Sequence, residues 1–194
     1  MAKNLDVDSR RQQVSEAAWR VLVDQGLAGL SVRNVAAEAG LPPSSLRYTF
    51  PTQTSVRVHA LELVLSRTLE RIAAVEAGQQ SEVWGRSIVH ELLPLDAERR
   101  MEMEVFLALG TAAMTDPDLR PTHMQTHNAV RRICETVVSI LHQGTAESAR
   151  FETDRLHALI DGLALHIIRQ EPSSDFTWAT RTLDEHLAGI QSRS

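Results

Sequence analysis

Apolar residues recur every three or four positions along most of the chain, and breaks in that rhythm divide it into helices. Val14, Ala17, Ala18, Val21 and Leu22 mark one face of a first helix, predicted over 9–25 and stopped by Gly26. Residues 1–8 are polar and unpatterned, and are expected to form a disordered arm. Ser31 is a good N-cap for a second helix whose inward stripe is Val32, Val35 and Ala36, with Ala39-Gly40 as its end. Pro42 and Pro43 suit a helix start, and Leu46 and Phe50, four apart, anchor a third helix on the second. The segment PTQTS caps a long fourth helix in which Val56, Ala60, Leu63, Val64 and Leu69 keep the period to about residue 77, before a loop at 78–80.

The second half repeats the pattern. Ser81 opens a helix through Trp84, Ile88 and Leu92 that ends at Pro94, and Asp96 caps the next, expected to reach about Thr115. Asp116-Pro117 opens a further helix, made irregular or preceded by a short turn at Pro121, which runs through Leu141 and closes at Gly144. Residues 145–153 are polar and predicted to be a mobile loop. From Asp154, Leu156, Leu159, Ile160, Leu163 and Ile167 form one stripe while Ala158, Leu165 and Ile168 form another, so this helix needs two partners. The last helix, about 175–191, carries Phe176, Ala179, Leu183, Leu187 and Ile190 near coiled-coil spacing. The expected fold is all-α.

Within the second and third helices the apolar anchors leave Ser44, Arg47 and Tyr48 pointing outward. A short helix stapled to a core with its polar face open is how a helix-turn-helix presents side chains to the DNA major groove. Composition changes this picture little. The 194 residues are 43% hydrophobic and 4% aromatic, which favours a Leu-, Val-, Ile- and Ala-based helical core. The single cysteine, Cys134, fits a reducing compartment, and no apolar run reaches membrane-spanning length, so a cytoplasmic protein with no membrane partner is expected. The net charge of −5 divides unevenly: residues 1–60 carry seven basic and five acidic side chains, and the remainder thirteen and twenty. The positive end is the one that holds the helix-turn-helix pattern.

The run S-V-R-N-V-A-x-E-A-G-L-x-x-x-S-L-R-Y-x-F, followed by a helix start and a long apolar helix, resembles the DNA-binding domain of TetR-family transcriptional repressors. The match extends from Arg10 to Leu65, and the ending R-Y-x-F with the segment LLPLDAERRMEMEVFLAL is most similar to the branch containing choline-sensing betaine-operon repressors. The resemblance implies a three-helix DNA-binding head over 9–55 and a helical effector-binding and dimerisation domain over 56–191, with the fourth helix linking them. It implies a ligand-released repressor that binds a palindromic double-stranded DNA operator as a homodimer. The chain departs from the family's pattern at Gln53, where lysine is common, at Thr49, where Tyr or His is common, and at Pro43-Ser44, where Lys-Gly is common.

The residues assigned to DNA are therefore Ser31, Arg33, Pro43, Ser44, Ser45, Arg47, Tyr48, Thr49 and Gln53. Arg47 can fork onto O6 and N7 of guanine, and Ser31 beside Arg33 suits a phosphate. Trp84, Met101, Met103, Phe106 and Met114 are the candidate lining of a pocket for an unidentified small-molecule effector, with an ordinary methionine-containing core as the alternative. Leu156, Leu163, Ile167, Phe176, Leu183 and Leu187 are expected to form half of a four-helix interface completed by a second subunit. His123 and His127, four apart, lack a recognisable third ligand, so neither a metal nor another cofactor is expected. No phosphate-cradling glycine loop, nucleophile motif or framed carboxylate pair suggests an enzyme. A helical module that uses its helix-turn-helix to bind protein is the other rival.

Overall fold

The computed structural model describes residues 2–47, 49–75 and 81–192, with side chains from Arg10 to Gln191. Among these residues there are nine helices: α1 (Ala2–Gly29), α2 (Val32–Glu38), α3 (Pro43–Leu46), α4 (Gln53–Ala74), α5 (Glu82–His90), α6 (Ala97–Ala113), α7 (Arg120–Leu141), α8 (Ala146–Ile168) and α9 (Thr177–Ser192). None is long and apolar enough to cross a membrane. The expected loop at 78–80 lies outside the described residues.

Three boundaries differ from expectation, each for a local reason. α1 begins at Ala2, so the arm predicted over 1–8 is helical from its second residue; no Gly or Pro interrupts the chain before Gly26. Gly26 does break the helix, at φ +65°, before a last turn resumes. α3 is only four residues long and does not reach Phe50, because Phe50 precedes Pro51, and a residue before proline is pushed out of the helical region. The predicted loop over 145–153 is the first two turns of α8. Thr145 caps it by accepting from the Ser148 amide at 3.2 Å, and the residues that follow are polar but good helix formers. A short turn over 117–119 precedes α7, which takes Pro121 into its first turn.

The chain forms two compact units, Met1–Val64 with Glu104–His123, and Leu65–Met103 with Met124–Ser194. The division does not fall at residue 55 as expected: α4, α6 and α7 each contribute to both units. A helical stripe says which face is buried, not which neighbour buries it.

The second unit has a continuous aliphatic core. α9 contributes Ala179, Leu183, Leu187 and Ile190, all fully buried, against Leu156, Ile160, Leu163 and Ile167 of α8, Ile88 and Val89 of α5, and Cys134, Val137 and Val138 of α7. Of the six residues expected at a subunit interface, Leu156, Leu163, Ile167, Leu183 and Leu187 are buried inside this one chain, which leaves those five little surface for a second chain, and Phe176, partly buried, packs against the same core. Each such burial stabilises the unit by roughly 1.5–3 kcal/mol.

Two arginines close this unit's polar seams. Arg100, buried, donates to the carbonyls of Ile167 (3.1 Å), Ile168 (3.2 Å) and Gln170 (2.9 Å), satisfying the open C-terminus of α8 with a side chain instead of a glycine turn. Arg71 of α4 forks onto Glu102 of α6 at 2.7 and 2.5 Å, and the Glu102 side chain is only 5% exposed. Burial pushes the Glu102 carboxyl above its ordinary range, and the Arg71 guanidinium offsets part of that cost.

Candidate nucleic-acid interface

The helix-turn-helix is assembled by backbone bonds at its corners. Ser31 accepts from the Asn34 amide at 3.2 Å, as an N-cap should, and Asn34 donates its side-chain amide to Gly29 at 2.7 Å. At the other end of α2, Gly40 takes φ +65°, its amide bonds Ala37 O at 3.1 Å, and the Leu41 amide reaches back to Ala36 O at 2.9 Å. This paired closure needs a left-handed residue, which is why glycine stands there. Pro43 then opens α3, and the Phe50 amide bonds Leu46 O at 2.6 Å to complete the turn. Leu46 and Phe50 are buried, as their spacing requires.

α2 is braced on α1 by Gln13, which donates to Ala39 O at 2.9 Å, and by the Arg20–Glu38 ion pair at 2.6 Å. α4 is tied to the same corner. Gln53 donates its side-chain amide to Leu30 O at 2.6 Å, and Thr52 and Ser55 exchange backbone-to-hydroxyl bonds at 3.2 and 3.0 Å. Gln53, one of the residues expected at DNA and a departure from the family's common lysine, thus spends one amide hydrogen on the chain just before α2.

The other assigned residues that are described are accessible to solvent to differing degrees. Arg33, Pro43, Ser44, Arg47 and Thr49 are exposed, while Ser31 and Ser45 are half-buried. Arg33 and Arg47 have no ion-pair partner among the described residues, in contrast to Arg20. Tyr48 lies outside the described residues. An open groove of about 1140 Å³ runs beside the turn and is lined by Arg10, Arg11, Ser45, Thr49, His59 and others, with Glu62 and Asp118 as its acidic members. Arg10 and Arg11 were missed by sequence reasoning; their signal was a basic doublet on the polar face of the first helix.

The segment that carries this turn matches a known family. Residues 15–56 match the family model described as bacterial regulatory proteins of the tetR family, and residues 82–192 match the one described as BetI-type transcriptional repressor, C-terminal. The chain belongs to the TetR family of transcriptional regulators. It is 31% identical to the HTH-type transcriptional regulator PksA of Bacillus subtilis (strain 168), over 98% of this chain and 94% of PksA. Among solved structures it is similar to a transcriptional regulator from Rhodococcus sp. Rha1, at 28% identity and TM-score 0.77, with 94% of this chain and 96% of that one covered. It is also similar to the multidrug binding protein EbrR complexed with ethidium, at 27% identity and TM-score 0.69, covering 91% and 98%. The BetI-type match over the second half agrees with the branch that the sequence resembles.

In this TetR-family regulator the five candidate pocket residues are divided between the two units. Trp84, Met101 and Met103 are half-buried in the second unit, whereas Phe106 and Met114 fall in the first. Phe106 lies against the His123 ring, 5.0 Å between centroids, and Met114 is 75% exposed, too open to line a pocket. Both were grouped with the others because they share a stripe-bearing helix, and that helix crosses between units. Trp84 differs from the rest: its indole N–H is buried and has no hydrogen-bond partner among the described residues. Cys134 is sealed in the core, and burial pushes its thiol up to about 12, so it is not a thiolate at neutral pH.

Proposed function

We propose that this regulator reads a palindromic operator as a homodimer, with Arg47 specifying a base and Arg33 gripping a phosphate. The observation that carries the reading is the pair of exposed, unpaired arginines on a turn whose apolar anchors are buried. An arginine already engaged by a carboxylate must give up that bond to touch DNA; these two do not. Selection of bound sequences from random DNA, followed by affinity measurements over a salt series, tests it. A two-fold symmetric consensus with half-sites about one turn apart, roughly 34–36 Å, is expected. Binding without sequence preference, or selection of a single unrepeated half-site, overturns it and leaves the protein-binding module as the better reading.

The dimer surface that replaces the buried leucines is the outer face of α8 and α9. Ala158, Gly162 and Leu165 follow at intervals of four and three on α8, exposed or half-exposed, and a Cβ added at Gly162 meets nothing within 4 Å. Trp178, Thr182 and Gly189 give α9 a comparable face. Small residues let a second pair of helices approach closely.

Effector release is the remaining part. EbrR, at 27% identity, is a structure complexed with ethidium, and its likeness supports an organic effector for this chain. The orphan indole N–H of Trp84, packed against the aliphatic core of the second unit, is the donor such a ligand would meet. The ligand must bind the DNA-free form more tightly, and a coupling of about 1–3 kcal/mol changes operator affinity by roughly 5- to 150-fold. Calorimetry of ethidium binding, paired with operator affinity at saturation, checks this; unchanged operator affinity dismisses the compound as effector.

A further inference from the structure

His127 on α7 and His157 and Asp161 on α8 bring two imidazole nitrogens and a carboxylate oxygen within 4.8 Å of one another. The spacing of four residues puts His157 and Asp161 on one face of α8, and the His127 ring lies 4.6 Å from that of His157. His123, the partner of His127 that sequence spacing suggests, instead faces Phe106. The His157 side chain is 8% exposed, and its Nε2 is buried without a hydrogen-bond partner among the described residues. Asp161 Oδ2 stands 3.8 Å from that nitrogen, too far for a hydrogen bond. The triad is therefore not explained as a histidine oriented by a carboxylate. A buried imidazole nitrogen left without a bond, facing two further donor atoms, is a site that lacks its central atom.

We propose that His127, His157 and Asp161 form a binding site for a divalent transition-metal cation of the Zn²⁺ type. Two nitrogens and one oxygen suit borderline metals and not Mg²⁺ or Ca²⁺, which take mainly oxygen ligands. Around a tetrahedral Zn²⁺ with bonds of 2.0–2.1 Å the donor atoms stand ~3.3 Å apart. The closure from the present spacing is left to His127, half-buried, and Asp161, 52% exposed, while His157 is fixed by the core. Asp161 sits at the solvent side, so the fourth position is open to water or a further ligand. The nearby cation, Arg131, is held off by Asp154 at 2.9 Å and by Glu135. A bound ion ties α7 to α8 and stabilises the folded second unit by linkage. The site belongs to the second unit, and the residues proposed to read DNA belong to the first.

The test uses the full, untagged chain, stripped with chelator and titrated with Co²⁺ followed by visible absorption, then with Zn²⁺ in competition. Saturation at one ion per chain, with the visible bands of low-coordinate Co²⁺ that Zn²⁺ displaces and Mg²⁺ does not, is expected, together with a rise in melting temperature. His127→Ala and Asp161→Asn leave the buried His157 in place and should each weaken Zn²⁺ binding by more than about 100-fold, since even outer-shell changes reach that figure. His166→Ala, exposed on α8 and outside the cluster, should bind as the parent does. No saturable binding at micromolar metal overturns the assignment, as does binding that survives both cluster variants or falls equally in His166→Ala. Operator affinity of the metal-free chain, measured in parallel, reports separately on the DNA reading.

Discussion

The α2–α3 turn and the α8–α9 pair are both recognisable as apolar stripes, yet they teach opposite lessons. In α2 and α3 the stripe is narrow, and the exposed residues beside it are polar or small, apart from Pro43, so burial of Leu46 and Phe50 also constrains which side chains face outward. In α8 the apolar residues cover most of the circumference: Leu156, Ile160, Leu163 and Ile167 are buried, and Leu159, Leu165 and Ile168 are half-buried. Such a helix announces that it is covered without saying by what. The coiled-coil spacing of Leu183 and Leu187 suggested another subunit; the cover is this chain's own α5, α7 and α8.

The sharpest way to break that contrast is a charge on each face of the pair. Leu183→Glu places a carboxylate at a site with no exposure and should cost at least about 4 kcal/mol, abolishing cooperative unfolding of the second unit by calorimetry. Ala158→Glu should leave the melting curve nearly unchanged while shifting the protein to monomer in sedimentation. A folded, monomeric Leu183→Glu would restore the buried stripe as the subunit interface.

A step below in size is Arg71→Met, which leaves Glu102 buried and unpaired. Removing one partner of a buried pair typically costs about 3–5 kcal/mol, and the partial exposure of Arg71 puts the expectation at the low end, about 3 kcal/mol near neutral pH. The sign with pH is distinctive. Desolvation raises the folded-state Glu102 pKa above its unfolded value, so the folded form binds more protons, and the variant's stability should rise as pH falls from neutrality toward that raised pKa. Chemical denaturation at a series of pH values reads it directly; a loss that deepens on acidification contradicts the buried-charge account.

Arg47→Ala should cost operator binding about 1–3 kcal/mol and relax preference at one base pair, with the melting curve unmoved. Arg33→Ala should weaken specific and random DNA alike and make the salt slope shallower by about one. Equal effects of the two substitutions on sequence preference would merge roles that the proposal keeps separate. Smallest is Ser31→Ala, which removes the α2 cap and should lower stability by about 1 kcal/mol in urea titration.

Caps and closures were the most legible part of the chain. Ser31, Gly40, Ser81 and Asp96 do what their residue types foretell, because those preferences are set by local backbone geometry. The candidate DNA face was legible in outline for the same reason. What escaped was non-local: Gln53 is turned to Leu30 by a contact across the corner, Met114 lost its pocket role to exposure, and the His127–His157–Asp161 group unites residues thirty positions apart. The start of α8 was missed because Thr145 to Thr153 lacks an apolar stripe, although its cap was in plain view.

The burial of Cys134 has a practical side. A chain whose one thiol is enclosed and protonated at neutral pH should ignore maleimides and mild oxidants while folded. Any cysteine introduced on the surface then becomes the sole reactive handle, with no need to remove the native one. Ser44→Cys, exposed on α3, would carry a fluorophore or spin label at the turn proposed to face DNA, and in the proposed dimer the two labels would report the distance between the two turns with and without an added ligand.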